Sequence, residues 1–380
     1  FTFLLMLSAA ATAATGWYSD YVKLNVNGSG ESYYWIGADP SFGTQLQGAA
    51  LGSVSSLVIT GCDMKYWSDS QDRTGGAFYY KVTNTAGTVD YIAATEVIWD
   101  QSFLGGNDYQ GLKSTSIDLL TGLPYGTGSY KLQVWAKSWG TNQGDIYLSN
   151  DGANYVATFS YTKTNPTSFS GTYKVGESTG TNFTTLGAAV SAINAGTIAG
   201  NVVLEITSDI TETANIGLKQ TSNFTLTLRP DQNLITRTIT FDHAADDNSG
   251  PSGAFCIGIG SSLAWTDLTP TKNIIIDGYS ATGNTRRLKI ATAPTHHRGN
   301  SPIVLLDDCS NIQIKNCIIE HNGATVGTST GIYAIYMRVN TSISTSTKTM
   351  TSNITIENNE ITCNKQGNYQ GIALFSGNTT

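Results

Sequence analysis

Charged residues are scarce in this 380-residue chain. Asp, Glu, Lys and Arg together make up 13% of it, and the formal net charge at pH 7 is −7. A protein that binds nucleic acid needs a basic patch or stripe, so this composition argues against a nucleic-acid partner. Gly, Ser, Thr and Asn fill the expected surface instead, which is typical of a secreted, β-rich protein.

Cysteine and histidine are also few. The 5 Cys are scattered without metal-ligand spacing, so no metal site and no cofactor are predicted. Cys309, Cys317 and Cys363 lie within or beside apolar strands, where a Cys packs as a small apolar side chain. Cys62 has no bridging partner in the first 165 residues. All 4 His lie beyond residue 240, which excludes chemistry with a histidine base from the first half.

Long apolar runs are missing as well. The run at residues 1–13 is too short to span a bilayer, and its end, with Ala11 and Ala13, matches an Ala-x-Ala cleavage pattern. We therefore predict a signal-peptide remnant at residues 1–15, no membrane span, and a secreted or outer cell-surface location. A buried first strand is the alternative. The chain lacks an initiator Met and ends inside a repeat, so we expect a fragment of a longer protein.

The second half of the chain contains a repeat. Residues 310–322 return as residues 352–364 with Asn and Ile at equivalent places, and residues 273–278 form a shorter copy. Ile alternates with polar residues, so the Ile side chains share one face of a strand. A single copy cannot bury that face, and neighbouring copies must stack on it. A second repeated strand follows each long copy, at residues 331–336 and 371–375.

These stacked strands predict a right-handed, single-stranded parallel β-helix, because Asn recurs at the turns and no helical period competes within the repeats. Residues 280–302 and 338–352 are predicted loops between strands. Residues 184–194 have apolar side chains at helical spacing, with Gly196 as a stop. They predict a helix that covers the open end of the β-helix.

The repeat, Asn-Ile-x-Ile-x-Asn-Asn-x-Ile at residues 353–361, resembles the pectate-lyase-like β-helix superfamily. Residues 170–176, 183–193 and 200–206 are similar to the entry segments of large secreted proteins of Bacteroidetes. The resemblance covers residues 170–380 and implies the fold. It implies no single activity, because that superfamily includes lyases, hydrolases, epimerases and non-catalytic adhesins.

Aromatic residues are concentrated in the first half, where residues 1–165 hold six of the 7 Trp and fourteen of the 19 Tyr. Short β-branched and aromatic segments bounded by Gly, Asn and Asp predict an antiparallel β-sandwich over residues 16–163. A segment rich in small polar residues at 164–171 predicts a linker, and the β-helix is expected to fill residues 172–380. The expected fold class is therefore all-β.

The predicted sandwich offers candidate carbohydrate contacts. Sugar rings have apolar faces that stack on flat aromatic side chains, and the candidates are Trp67, Trp135, Trp139 and Tyr147. Trp139 is the strongest candidate, because residues 138–143 are predicted to form a loop, where a packing role is less expected. The alternative is that these rings fill the sandwich core and its rims.

Catalytic signals in the predicted β-helix are weak. A pectate lyase needs acidic residues that hold Ca²⁺ and a basic residue that takes a proton, and a glycoside hydrolase needs two carboxylates beside the scissile bond. The adjacent acidic pairs are 246–247 and 307–308. Asp307 and Asp308 remain weak catalytic candidates, with a turn at a coil corner as the alternative. Calcium is expected only if the protein is a lyase.

Residues 286–298 form a basic segment in a chain whose net charge is otherwise negative. Guanidinium groups grip carboxylate and sulfate, so this segment is a candidate site for an acidic glycan. A solvated loop whose arginines pair with nearby acids is the alternative. The candidate side chains are Arg286, Arg287, Lys289, His296, His297 and Arg298.

Taken together, the sequence predicts an exported bacterial surface protein that contacts a polysaccharide or cell-surface glycan. One alternative is a polysaccharide lyase or glycoside hydrolase acting on an acidic polysaccharide, with part of its catalytic residues beyond residue 380. Another alternative is a purely structural stalk or adhesin.

Overall fold

The computed structural model describes residues 14–37, 43–243, 253–260, 263, 267–295, 301–306, 308–322, 332–338, 351–363 and 369–375. The chain is all-β, with one helix among these residues. It divides into two compact units, one formed by Phe1–Leu123 with Thr127–Lys163 and the other by Pro124–Gly126 with Thr164–Thr380.

The first unit is a β-sandwich of two sheets. Its strands are β1 (Thr15–Trp17), β2 (Tyr21–Val26), β3 (Glu31–Trp35), β4 (Thr44–Gln45), β5 (Ala49–Val54), β6 (Leu57–Ser68), β7 (Arg73–Asn84), β8 (Asp90–Ile98), β9 (Asp100–Gly105), β10 (Asp108–Asp118), β11 (Gly126–Gly140), β12 (Ile146–Leu148) and β13 (Tyr155–Lys163). Sheet A has the order β4-β3-β2-β6-β10-β9, with β1 also paired to β6, and sheet B has the order β5-β13-β11-β7-β8, with β12 also paired to β11. The pairing is mainly antiparallel, as the sequence predicts, although β3–β4 and β5–β13 are parallel.

Alternation along the strands decides which side chains fill the sandwich. In β11, Leu132, Val134 and Ala136 are fully buried in a core that they share with Phe78 and Val82 of β7. Successive side chains of a strand point to opposite faces. The residues between them on β11 and β7 therefore lie on the outer face of sheet B.

The second unit is a parallel β-helix. Its elements are β14 (Ser168–Val175), α1 (Leu186–Ala195), β15 (Thr197–Ile206), β16 (Ile210–Glu212), β17 (Ile216–Leu218), β18 (Leu226–Pro230), β19 (Arg237–Phe241), β20 (Gly253–Ile257), β21 (Lys272–Asp277), β22 (Leu288–Thr292), β23 (Ser301–Leu305), β24 (Ser310–Lys315), β25 (Ile318–His321), β26 (Ile332–Arg338), β27 (Ser352–Glu357), β28 (Glu360–Cys363) and β29 (Tyr369–Phe375). Sheet C has the order β14-β15-β18-β21-β24-β27, sheet D the order β16-β19-β22-β25-β28, and sheet E the order β17-β20-β23-β26-β29.

From β15 onward each coil contributes one strand to each sheet, whereas β14 adds a strand to sheet C alone. The register of the predicted repeat is confirmed. Ile312 pairs with Ile354, and Ile314 pairs with Ile356. Ile312 and Ile314 are fully buried, and their partners in the last described coil pack against the same core. Cys309 and Cys317 are also fully buried, as core packing predicts, and Cys363 is partly buried against the same core. All five cysteines are free thiols.

Stacked asparagines form the corners of these coils. Asn273, Asn311 and Asn353, at the same place in three coils, have φ of 60°, 55° and 54°. Asn is one of the few residues other than Gly that visits this left-handed region routinely. The side chain of Asn353 donates to Asn311 Oδ1, and Asn311 donates to Asn273 Oδ1 at 3.1 Å. The predicted stacking of Asn on Asn is thus confirmed.

The predicted helix at the start of the β-helix is also confirmed. α1 has Thr185 as its N-cap, with the side chain accepting from Ala188 N at 3.1 Å, and it ends at Gly196. Buried Leu186, Val190 and Ile193 hold it against the first coils.

Two predicted boundaries differ from the structure. β14 begins at Ser168, inside the predicted linker at residues 164–171, because it pairs in parallel with β15 and so belongs to sheet C. Residues 280–302 are not a continuous loop, because β22 pairs with β19 and β25 and places Leu288 and Ile290 in the core. The signal-peptide prediction falls largely on residues 1–13, and most of the predicted loop 338–352 likewise lies outside the described residues. No helix in the described part of the chain is long and apolar enough to cross a membrane.

Candidate functional site: an aromatic face on the sandwich

The outer face of sheet B carries two rows of side chains that cross its strands. Trp135 of β11 lies opposite Tyr79 of β7, and Tyr79 lies opposite Glu96 of β8. One step along the sheet, Lys137 of β11 lies opposite Tyr147 of β12. Residues directly opposite each other in an antiparallel pair share a face and contact each other. We call the set Tyr79, Trp135, Trp139 and Tyr147 the aromatic face.

The first row is held together by ring stacking. The rings of Tyr79 and Trp135 are parallel within 8°, with centroids 5.3 Å apart. The hydroxyl of Tyr79 donates to the carboxylate of exposed Glu96. Burial, reinforced by this hydrogen bond, raises the pKa of Tyr79 to about 12, so its hydroxyl stays protonated at neutral pH. The row therefore combines aromatic surface with a fixed acceptor.

In the second row a lysine is held between an acid and a ring. Lys137 Nζ lies 2.7 Å from Asp145 Oδ2 and 5.4 Å from the ring centroid of Tyr147. The hydrogen bond between them raises the pKa of Lys137 and lowers that of Asp145, so the pair stays charged across the neutral range. Tyr147 is nevertheless 60% exposed. A large aromatic ring held in place and open to solvent is suited to stacking on an apolar ligand surface.

The predicted loop position of Trp139 is wrong. β11 continues through Gly140, because Ser138 and Trp139 remain paired with Gly76 and Gly75 of β7. The indole of Trp139 is half-buried and lies over Gly75, where a Cβ atom would come within 2.9 Å of its Cε3 atom. Trp139 thus reaches the aromatic face from a strand and packs partly on the sheet.

The segment after Trp139 is fixed by a buried carboxylate. Asp72 Oδ2 accepts the backbone N–H groups of Asn142 and Gln143 at 2.8 Å each, and Oδ1 accepts from the hydroxyl of Ser68 at 2.9 Å and from Arg73 Nη2 at 3.2 Å. Burial alone would raise the pKa of Asp72, but these hydrogen bonds hold it well below its usual value. The carboxylate anchors the end of β11 next to the aromatic face.

Trp67 lies apart from the other aromatic candidates, which are on sheet B. It lies on β6 in sheet A, where its neighbour Tyr66 points into the core. Its indole packs over Gly16 of β1, because a Cβ atom there would lie 2.6 Å from Trp67 Nε1. Trp67 and Trp139 therefore occupy the outer faces of two different sheets.

The basic segment is used, in its described part, to brace coils of the β-helix. Arg286 Nη2 donates to Asn358 Oδ1 at 2.7 Å and Arg286 Nε donates to Asn358 O at 2.8 Å. Arg287 Nη1 donates to Asn233 O at 3.0 Å. Lys289 lies on β22 and pairs with Glu320 of the next coil. His296, His297 and Arg298 lie outside the described residues, so their predicted role is untested.

Of the two acidic candidates in the β-helix, the structure describes Asp308. Asp308 has φ of 60° at the corner between β23 and β24, which fits the turn alternative. Asp307 lies outside the described residues. The described part of the chain contains no group of three or more His, Cys, Asp or Glu side chains that could hold a metal ion.

A polar cleft of about 540 Å³ runs beside α1, and amide side chains that line it donate hydrogen bonds to backbone carbonyl groups. Asn194 Nδ2 donates to Gly217 O at 2.8 Å, and Gln220 Nε2 donates to Phe224 O at 2.9 Å. Lys219, also on the cleft, pairs with Asp267 at 3.2 Å. These polar side chains already have partners within the protein, so the cleft is a weaker candidate site than the aromatic face.

Sequence reasoning missed Tyr79, Glu96, Lys137 and Asp145. Tyr79, Glu96 and Lys137 lie in segments of ordinary strand composition, and only the pairing of β7, β8, β11 and β12 places them beside Trp135 and Tyr147. Asp145 precedes β12 and joins the site through its ion pair with Lys137. The alternation around Tyr79 and Tyr80 signals that one of these two rings faces outward.

In comparisons with known proteins, no family model, no curated protein and no solved structure matches the chain.

Proposed function

We propose that this protein binds glycans through the aromatic face of its sandwich. The observation that carries the proposal is that Trp135 and Trp139 of β11 and Tyr147 of β12 lie on one solvent-facing surface of sheet B. Aromatic rings at such a surface stack on the apolar faces of sugar rings, and carboxylates beside them accept hydrogen bonds from hydroxyl groups.

The alternative that these rings merely fill the core does not account for Tyr147. The core between the sheets is already occupied by Tyr66, Phe78, Tyr130 and Phe159, all of which are buried. Trp135 and Tyr147 lie on the opposite side of sheet B from this core. Tyr147 is 60% exposed and contributes little to packing.

The β-helix serves, in this proposal, as a long rigid support. Its repeat resembles the pectate-lyase-like superfamily, and that superfamily includes non-catalytic adhesins as well as enzymes. The low charge of the chain and the Ala-x-Ala pattern at Ala11 and Ala13 support export to the cell surface or medium. We therefore propose an exported glycan-binding protein rather than an enzyme.

Retention of the full chain on immobilised polysaccharides tests this function. Tyr147→Ala and Trp135→Ala should each lower retention by about five- to tenfold, since loss of one stacking contact costs on the order of 1 to 1.5 kcal/mol. Trp67→Ala is the matched control, because it removes a half-buried indole from the outer face of sheet A. Melting temperatures of all three variants should be compared with the wild type.

The proposal is wrong if the wild type is retained on no polysaccharide, or if Trp67→Ala lowers retention as much as Tyr147→Ala does. The Tyr147 variant is the more informative one, because an exposed side chain can be removed with little change in stability.

A further inference from the structure

We propose that the aromatic face selects neutral glycans over uronate-containing or sulfated ones. This inference rests on the proposed function and names the class of ligand that the same surface takes. It is carried by Lys137 and Lys81, the two lysines nearest the aromatic rings, which already have carboxylate partners in the free protein.

Lys137 is the cation closest to the aromatic rings, and it is not available to a ligand. Asp145 lies 2.7 Å from its ammonium group, and Tyr147 covers it from another side. Only 21% of the Lys137 side chain is exposed. An acidic sugar would have to displace Asp145 and face its negative charge at the same place.

The neighbouring cation on β7 is paired in the same way. Lys81 Nζ lies 3.0 Å from Asp90 Oδ1 of β8. Lys131, also on the outer side of β11, is four residues from Trp135, or roughly 13 Å along an extended strand. Neither lysine is placed to grip a carboxylate or sulfate that is stacked on Trp135.

The remaining charge beside the rings is negative. Glu96 is exposed at the end of the Trp135–Tyr79 row and accepts from the Tyr79 hydroxyl. Like charges brought close together are repelled, so a polyanion would be disfavoured here. The hydroxyl groups of a neutral sugar, by contrast, can donate to the free lone pairs of this carboxylate.

The apolar part of the surface extends to the far strand. Ile98 of β8 lies opposite Ala77 of β7, in the same row as Lys137 and Tyr147, and it is 53% exposed. Tyr147 and Ile98 are three strand spacings apart, or roughly 14 Å. The surface can therefore contact more than one sugar ring of a chain.

The test compares retention of the full chain on neutral polymers (cellulose, xylan, mannan and mixed-linkage glucan) with retention on polygalacturonate, alginate and chondroitin sulfate. We expect retention on at least one neutral polymer, with less than about twofold change between about 20 mM and about 0.5 M salt, since little of the interaction is screened. No acidic polymer should be retained more strongly than the neutral one.

A charge variant separates this inference from the proposed function. Asp145→Asn removes the partner of Lys137 and should create measurable, salt-sensitive retention on polygalacturonate. Asp100→Asn is the matched control, because it removes the acid that lies 3.6 Å from Lys113 on sheet A and changes the net charge equally.

The outcomes are distinguishable. Preferred retention on an acidic polymer, lost in Trp135→Ala and falling steeply with salt, would overturn the neutral preference and leave the proposed function standing. Equal gains in Asp145→Asn and Asp100→Asn, or no gain in either, would show that Asp145 does not shield the face. Retention on no polymer at all would contradict the proposed glycan-binding function itself.

Discussion

The side-chain amide of Asn311 donates to Asn273 Oδ1 at 3.1 Å, although the two residues are 38 positions apart. The same link joins Asn353 to Asn311 in the next coil. A parallel line of hydrogen bonds joins Asn358 to Asn316 at 2.8 Å and Asn316 to Asp277 at 2.8 Å. Sheet C is thus bounded on both sides by stacked polar corners, which fix the register of one coil on the next.

Asn311 tests how much these corners contribute. Its φ of 55° is unfavourable for residues with a Cβ, whereas Gly adopts it freely. Asn311→Gly removes the hydrogen bonds and adds backbone freedom to the unfolded chain, while Asn311→Ala removes the same hydrogen bonds and forces Ala into the left-handed region, at about 1 to 2 kcal/mol. We therefore expect stability to fall in the order wild type, Asn311→Gly, Asn311→Ala.

Hydrogen exchange of peptides from residues 310–322 and 352–363 measures this order, because it reports on these coils and not on the sandwich. Equal exchange in the Gly and Ala variants would mean that the left-handed corner imposes no cost on Ala at this place.

A second prediction concerns the buried row of isoleucines. The side chain of Ile314 is fully buried in the core, while its neighbour Gln313 lies on the outer side of the same strand. Ile314→Asp buries an unpaired charge and should cost more than about 4 kcal/mol. Gln313→Asp adds the same charge at the outer position and should change stability by less than about 0.5 kcal/mol.

Urea unfolding followed by far-ultraviolet circular dichroism, with hydrogen exchange to assign the transition to the β-helix, gives both values. Similar losses in the two variants would contradict the inward position of Ile314.

The repeat could be recognised from the sequence because the same two structural requirements recur in each coil of sheet C. A corner in the left-handed region calls for Asn, and an inward row calls for Ile, so residues 310–315 and 352–357 match almost position for position. The sequence does not predict strand β22, because no such repeated pattern marks it. It is short, and Arg286 and Arg287 directly before it give the segment the composition of a loop.

The aromatic face could be predicted only in part, because the sandwich strands carry no sequence repeat from which their pairing could be inferred. Tyr79 and Trp135 stack although they belong to β7 and β11, and their local sequences do not indicate that these two strands pair. The Gly, Thr and Asn that follow Trp139 predict a loop. The ladder to Gly75 and Gly76 keeps that segment extended.

The last prediction concerns Glu212, which is 6% exposed at the N-terminus of α1. Its Oε1 atom accepts the backbone N–H groups of Leu186 at 2.6 Å and Gly187 at 3.2 Å. Burial raises its pKa, while these two hydrogen bonds act in the opposite direction and offset only part of the rise. The folded β-helix therefore binds the Glu212 proton more tightly than the unfolded chain does.

The sign of the pH dependence follows from this difference. The contribution of Glu212 to the free energy of unfolding is largest below its unfolded pKa of about 4.3 and falls as pH rises through the higher folded pKa. Glu212→Gln cannot ionise, so the stability of the wild type relative to this variant should decrease from about pH 4 towards neutral pH and then stay constant. Urea titrations across this range, with exposed Glu177→Gln as the control, measure the difference. A relative stability that increases with pH would mean that the helix N-terminus stabilises the Glu212 carboxylate by more than burial destabilises it, because a carboxyl group with a depressed pKa gains stability as it ionises.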